Sequence, residues 1–547
     1  MTSVTSTHVT AVRRREARFA GLWTLLWFAL RRDRVRLPAW ILGITLGVVS
    51  SAVSFPSIYP TAEDRLGALL TIDNPGTTAL IGSVYGDGDY TYGIMVGHEL
   101  LVLTAVAAAL MSILTLVRHT RAEEESGRAE LVRSSVVGRH AHAASAVLLV
   151  IGADVVLGLV LAGSLGALGV ETVTWRGSLT FGAAVAAVGF VFAGVAAVTA
   201  QLTENARTAS SSAGLVLALA YVLRAIGDVG NETASWLSPI GWAQATEAYF
   251  ADDLAPLGLA LLTAAVLLTV SAPLSRQRDV GAGVLGTRPG PATAGPALGG
   301  PFGLTWRLVR GNLVGWTAGL LAFGLMYGPV LSEASTFLED VPIMAEFLPD
   351  ADATGAELFG ATVIALAAIA CAVPALQVLL RLRTEEVAGR AGPLLATPLS
   401  RARWMVSGLV LATVGGAVVL LVTGLGVGLG AGLSMDDLGW VGTSVSAAVS
   451  YLPAIAVTIG VAGVLLGWLP RVTGWSWALV VLSVVVLYFG GILDLPQWLV
   501  DLSPFSHVPQ QPAVDPDVGP LATLGAMAMA LMAAGVLGVR RRDIQEA

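Results

Sequence analysis

Apolar runs of about 20 residues alternate with short polar stretches along the whole chain, and an α-helix of that length spans the hydrocarbon core of a bilayer. Inside such a helix every backbone amide is satisfied without water. The pattern therefore predicts an all-α integral membrane fold with about 12 transmembrane helices. The runs lie near 37–55, 93–117, 143–169, 179–200, 211–229 and 255–274, then near 312–331, 355–380, 404–432, 442–469, 475–494 and 519–539.

The polar stretches between the runs differ by side. On one side stand eight arginines before the first span, then Arg118, Arg121, Arg128, Arg133 and Arg139, then Arg207. The same side continues with Arg276, Arg278, Arg288, Arg307 and Arg310, then Arg381, Arg383, Arg390, Arg401 and Arg403, then Arg471 and Arg540 to Arg542. The other side has Arg65 and Arg176 among many acids: Glu63, Asp64, Asp87, Asp89, Asp252, Asp253, Glu339, Asp340, Asp436, Asp437, Asp515 and Asp517. Arginine excess marks the cytoplasmic side, so a multi-pass protein of the inner (plasma) membrane with both termini in the cytoplasm is expected. Arg13, Arg14 and Arg15 precede a stretch interrupted by Arg31, Arg32 and Arg34, with no small-residue cleavage site, so no signal peptide is expected.

The chain also repeats itself. Arg121, Glu123, Glu124, Gly127, Arg128 and Arg139 recur 262 positions later as Arg383, Glu385, Glu386, Gly389, Arg390 and Arg401. Leu237-Ser238-Pro239 recurs as Leu502-Ser503-Pro504, and Arg276, Arg278 and Asp279 recur 264 positions later as Arg540, Arg542 and Asp543. An even number of spans in each half makes the repeat parallel, two six-helix bundles in tandem. The expected organisation is a first repeat over 1–280, a Gly- and Pro-rich cytoplasmic linker over 281–301, and a second repeat over 302–547.

Composition narrows the chemistry. Hydrophobic residues make up 55% of the 547 positions and charged residues 13%, a balance that only a bilayer accepts at this length. All 31 basic residues are arginine. A phosphate-binding P-loop needs the lysine of its GK[ST] end, so this chain is expected to carry no nucleotide site and not to be an enzyme itself. Arginine-only usage with abundant Ala, Gly and Val points to a GC-rich genome. Cys371 stands alone in an apolar run, which excludes an internal disulfide and a cysteine-based metal cluster. Basic residues do not interleave with aromatics, so nucleic acid is not an expected partner.

Two polar features suggest a mechanism. Ahead of the first span, Phe19, Leu22, Trp23, Leu26, Trp27 and Leu30 form one apolar stripe at helical spacing, bounded by arginines. An interfacial helix over 13–36 is expected to lie on the inner leaflet, and Phe302, Trp306, Val309 and Leu313 repeat it in shorter form. The second feature is the pair of charged segments 118–142 and 381–403. Each places Glu four residues before Arg, Glu124 with Arg128 and Glu386 with Arg390, a spacing that supports a helix. Gly127 and Gly389 beside those arginines are positioned to break the helix into two arms. A bare topological signal would not need to repeat the acids, so docking to a partner is the sharper expectation.

The order is an interfacial helix, a span, an outer loop, a span, a cytoplasmic Glu-Glu-x-x-Gly-Arg segment, further spans, and an outer Leu-Ser-Pro segment before the sixth. It resembles the ABC-2 type exporter permease of the type V exporter kind. The doubled form is similar to actinobacterial permeases of the tetronasin and multidrug efflux kind, and the likeness covers essentially the whole chain. Its best local match is Glu385-Glu386-Val387-Ala388-Gly389-Arg390 with Leu394-Leu395-Ala396-Thr397-Pro398-Leu399-Ser400-Arg401. The first half keeps Glu130-Leu131 after Gly127-Arg128 but has Ser134-Ser135-Val136 where Ala-Thr-Pro stands in the second, so unequal docking is expected.

The resemblance implies a permease that effluxes lipophilic drugs, antibiotics or related compounds, with two copies of a separate nucleotide-binding ATPase on its cytoplasmic face. ATP and Mg would sit on that partner, not on this chain. Glu123, Glu124, Gly127, Arg128, Glu385, Glu386, Gly389 and Arg390 would couple the two. Short helices around Trp236 to Phe250 and Trp498 to Val508 would form re-entrant segments near the outer exit.

Charged groups in a bilayer cost roughly 2.5–3.5 kcal/mol each on insertion scales, so each demands a reason. His98, Glu99, Asp154, Arg224 and Asp228 are the candidates, with Arg224 and Asp228 spaced to pair on one helix. The second half has no counterparts at the same offset, which argues against a proton relay. A proton-coupled drug transporter of the major facilitator type is the alternative reading, also twelve spans in two halves. Its short basic Gly-Asp-Arg-Gly-Arg loop is replaced here by a long glutamate-rich one. A membrane-embedded enzyme or scaffold is a third reading, for which no metal spacing or nucleophile-base constellation stands out.

Overall fold

A computed structural model describes residues 18–72, 75–86, 88–230, 233–275, 277–279, 281–286, 292–331, 354–489 and 495–542. Of the residues named above, Arg13, Arg14, Arg15, Asp87, Arg276, Arg288, Glu339, Asp340 and Asp543 fall outside them. The chain divides into two compact units, Met1–Gly290 and Pro291–Ala547. Among the described residues, 12 helices are long and apolar enough to cross a membrane.

In the first unit these are Arg36–Ile58, Tyr92–Glu125, Ala141–Gly166, Trp175–Leu202, Ala206–Val229 and Leu257–Leu274, the first to sixth spans. In the second they are Pro301–Tyr327, Gly355–Val387, Arg401–Ser434, Gly439–Trp468, Pro470–Leu487 and Val518–Arg541, the seventh to twelfth. Each coincides with an expected run, so the 12-helix membrane fold holds. Helices start where a side chain can cap the free amides. Thr91, Thr174, Asn205 and Ser400 accept from the backbone three residues on, and Thr354 with Glu357 forms a reciprocal capping box. The tenth span is interrupted after Ser450, where Pro453 opens the helix Leu452–Trp468 in its first turn.

Within the first unit, the fourth span is the most buried. It packs against the second, third and sixth spans. Close approach is paid for with glycine: a Cβ on Gly182 would sit 2.2 Å from the carbonyl oxygen of Gly158 on the third span. Within the second unit, the eighth span takes the central position, against the ninth and tenth.

The amphipathic stretch before the first span is a separate helix, Leu22–Arg32, entered through Gly21 at φ +79° and ended at Asp33. Trp23, Trp27 and Leu30 of its stripe are exposed, Trp23 by 73%, as a face against lipid headgroups requires. The shorter copy differs. Phe302, Trp306, Val309 and Leu313 are the opening turns of the continuous helix Pro301–Tyr327, and Val309 and Leu313 are buried. No residue like Asp33 ends a helix there, so the stripe continues straight into the seventh span. Between the first and second spans lie two further helices, Ala62–Ile72 and Pro75–Ile81, which hydrophobic pattern alone did not separate.

Candidate functional site

In the first unit the long helix of the second span is broken at Thr120, so that its end, Arg121–Glu125, forms a five-residue arm, and a second arm runs over Arg128–Arg133. Gly127 stands between the arms at φ +74°. A Cβ there would meet no atom within 4 Å, so the glycine is required for its left-handed backbone and not for space. In the second unit the eighth span runs on to Val387, Gly389 takes φ +70°, and Ala391–Leu395 forms the second arm. Both glycines break the helix as the sequence predicts.

The same breaks overturn the expected one-turn pairs. Glu124 and Arg128, and likewise Glu386 and Arg390, lie on opposite sides of a left-handed residue, so four-residue spacing no longer sets them on one helical face. The acids turn inward instead. Glu124 accepts from Arg121 Nη1 at 2.6 Å and from both terminal nitrogens of Arg278 at 2.7 and 2.9 Å. Arg278 follows the sixth span and also donates from Nε to Gln201 Oε1, at the end of the fourth span, at 2.8 Å. Glu386 is held in the same manner by Arg542 at 2.5 and 2.8 Å and by Arg383 at 3.2 Å. Two blocks that repeat at separate offsets in the sequence are thus partners in space, once in each unit.

Neighbouring acids are wired differently in the two units. Glu123 accepts from Arg32 of the interfacial helix, and His142 Nε2 of the third span lies 3.5 Å away. His119 Nδ1 is 3.8 Å from the same carboxylate, while its Nε2 meets the buried Asp33 at 2.6 Å. Glu125 accepts the backbone amide of Ala206, the first residue of the fifth span, at 3.0 Å. In the second unit Glu385 is bound within its own segment, by Arg381 at 2.8 Å and by Arg390 at 2.6 and 3.1 Å. That bond raises the Arg390 guanidinium pKa above its usual range. The position of Glu125 is taken by Val387, which is exposed.

Outward, the second arm of the first unit and the residues just after it present Arg128, Glu130, Leu131, Ser134 and Val136. Leu131 is 75% and Val136 97% exposed. The second unit presents Val387, Arg390, Pro393, Thr397 and Pro398. These are mixed apolar and basic faces on the arginine-rich side of each bundle. Sequence reasoning singled out the acids but missed Arg278 and Arg542 as their partners. The signal was available in the near-equal offsets of the two blocks.

The intramembrane candidates separate into three places. His98 shares its Nδ1 with Tyr90 Oη at 2.8 Å and its Nε2 with the Gly82 carbonyl at 3.0 Å, while Tyr90 also donates to Glu99 at 3.1 Å. Asp154 is wholly buried, takes the Ser112 hydroxyl at 2.8 and 2.9 Å, and faces Gly189, where a Cβ would come within 2.6 Å of it. Arg224 caps the end of the short helix Pro75–Ile81, donating to the carbonyls of Thr78, Ala79 and Leu80 at 3.4, 2.6 and 3.1 Å. It also pairs with Asp228 at 3.2 Å. The fifth-span pair is therefore a structural fastening for that helix. Cys371 is buried beside Thr423. A largely apolar cavity of about 660 Å³ lies between the first and second spans, lined by Trp40, Gly43, Ile44, Leu103 and Thr104, with Arg36 at one end.

The sequence model of the family described as "Multidrug efflux system permease Rv1217c, C-terminal domain" matches residues 22–274 and, a second time, residues 298–540. The chain is also 41% identical over 536 residues to the multidrug efflux system permease protein Rv1217c of Mycobacterium tuberculosis (strain ATCC 25618 / H37Rv), covering 96% of each chain. The major facilitator alternative draws no support from either match.

Proposed function

Because the chain belongs to the multidrug efflux system permease family of Rv1217c, we propose that it is the membrane subunit of an ATP-driven ABC exporter for lipophilic small molecules. The observation that carries this reading is the repeated, glycine-broken two-arm segment on the arginine-rich side of each unit. Positive-inside bias assigns that side to the cytoplasm and, with it, both termini. Two copies of a nucleotide-binding ATPase, carrying ATP and Mg, would dock there, one on each segment. The inward turn of Glu124 and Glu386 leaves the docking face to Leu131 and Val136 in one unit and to Val387 and Pro393 in the other, which are open to a partner. The cavity between the first and second spans has the size and apolar lining of a drug-sized site, which typically measures roughly 300–1,000 Å³.

The experiment is reconstitution in proteoliposomes with and without the ATPase. The purified chain alone should hydrolyse no ATP and drive no efflux. With the partner, hydrolysis should rise on adding a lipophilic drug. Efflux powered by a proton gradient with no ATPase present would overturn the reading.

A further inference from the structure

We infer that Arg278 and Arg542 are positioning residues, each a clamp that makes the end of the sixth or twelfth span move as one piece with the segment that precedes the third or ninth span. This inference rests on the ATP-driven reading and adds a transmission route to it. Four observations point the same way. Each arginine reaches its glutamate through two nitrogens, a fork geometry that fixes orientation as well as distance. Each links parts of the chain 154 or 156 residues apart, so the contact is not a by-product of neighbouring positions. Glu124 sits in the first arm and Glu386 in the last turn of the eighth span, each three residues before the glycine break, where a push on the second arm would arrive first. Finally, the arrangement occurs in both units although other contacts of these segments differ between them.

The first-unit clamp extends one step further. Arg278 also holds Gln201 and the carbonyl of Ala282, so the end of the fourth span and the chain just beyond the sixth meet at one guanidinium. In the second unit Arg401, at the start of the ninth span, donates to the Arg542 carbonyl at 2.6 Å, tying that span to the same residue. A displacement of either segment therefore has a polar route to the end of the twelfth span in the second unit and to the chain just past the sixth span in the first.

The test uses the full chain with its ATPase in proteoliposomes, comparing wild type, Arg542→Lys, Arg542→Gln and the exchanged pair Glu386→Arg with Arg542→Glu. For Arg542→Gln, the maximal drug-stimulated ATP hydrolysis should fall at least tenfold. The drug concentration giving half-maximal stimulation should change less than threefold. Lysine should restore only part of the rate, because it keeps the charge but loses the fork, and the exchanged pair should recover more than Arg542→Gln. Stimulation by Arg542→Gln equal to wild type would sink the clamp. A second measurement needs no disabling change. Spin labels on Ser126→Cys, exposed at the end of the first arm, and Gln277→Cys in the otherwise wild-type chain should keep one narrow distance distribution through ATP turnover. Labels that separate during turnover would overturn the inference. Were the wild-type chain to show no dependence on an ATPase, the exporter reading itself would fall, a different result from either.

Discussion

Arg278 closes on Glu124 with two guanidinium contacts, 2.7 and 2.9 Å, joining the end of the sixth span to the arm that follows the second. Both side chains are nearly buried, at 7% and 5% exposure. Removing one member of such a pair leaves the other charge without its partner in a poorly solvated place, at a cost of roughly 3–5 kcal/mol when burial is complete. Arg121 still holds Glu124, so a smaller loss of about 2 kcal/mol is expected for Arg278→Gln. Glu124→Gln should cost less in that background than in the wild type, because the carboxylate has already lost one of its two arginines, while Arg121 loses its partner in both. Thermal unfolding of the single and double variants in detergent measures the coupling, expected at about 1–2 kcal/mol. Strictly additive losses would show that the contact carries no net energy.

Gly127 and Gly389 test whether the break itself matters. An alanine at a left-handed position costs about 1 kcal/mol, and neither site offers a steric clash to add to it. Gly127→Ala and Gly389→Ala should therefore lower stability by about 1 kcal/mol each, and asparagine by less, since it tolerates this region better. Drug-stimulated ATP hydrolysis should suffer more than stability does, because a straightened helix would carry the second arm away from its partner. Equal hydrolysis in the alanine variants would make the break dispensable.

How far the sequence reaches is visible at these same residues. All twelve spans are legible because burial in lipid demands unbroken apolar runs, and that demand acts on every residue of a run. The breaks at Gly127 and Gly389 are legible because only glycine takes that backbone angle cheaply. The direction in which Glu124 and Glu386 point is not, since four-residue spacing to an arginine describes a helix that the glycine has already ended. Their real partners lie more than 150 residues away, and local pattern holds no distance information of that kind. The same limit explains the shorter stripe at Phe302 to Leu313. Its spacing is that of an amphipathic helix, but the spacing does not say whether lipid headgroups or neighbouring spans cover the face.

Asp154 is a buried acid whose surroundings predict a structural role. It is buried between Ser112 and Gly189, and among the described residues its hydrogen bonds come from the Ser112 hydroxyl. Asp154→Asn keeps an acceptor for the Ser112 hydroxyl and nearly the same volume, so export should remain within about twofold of wild type, a loss below 0.5 kcal/mol in transition-state terms. A proton carrier would lose all activity on this change. Efflux of a fluorescent drug from vesicles decides between the two. Gly189→Val places branched carbon against the carboxyl group and should prevent accumulation of folded protein.

The two segments should also respond differently to loss of their leading acid. Glu123 accepts from Arg32 of the interfacial helix, with His142 of the third span 3.5 Å away, while Glu385 is held by Arg381 and Arg390 of its own segment. Glu123→Gln therefore removes the bond to the interfacial helix, and Glu385→Gln removes the bonds to Arg381 and Arg390. Hydrogen exchange in Leu22–Arg32 should accelerate about tenfold in Glu123→Gln, equivalent to about 1.4 kcal/mol of lost protection. The opening turns of Pro301–Tyr327 should exchange at the wild-type rate in Glu385→Gln, because they continue into a span and depend on no such bond. Equal acceleration in both would mean that the first segment is not the anchored one, and the unequal wiring of the two units would then have no mechanical consequence.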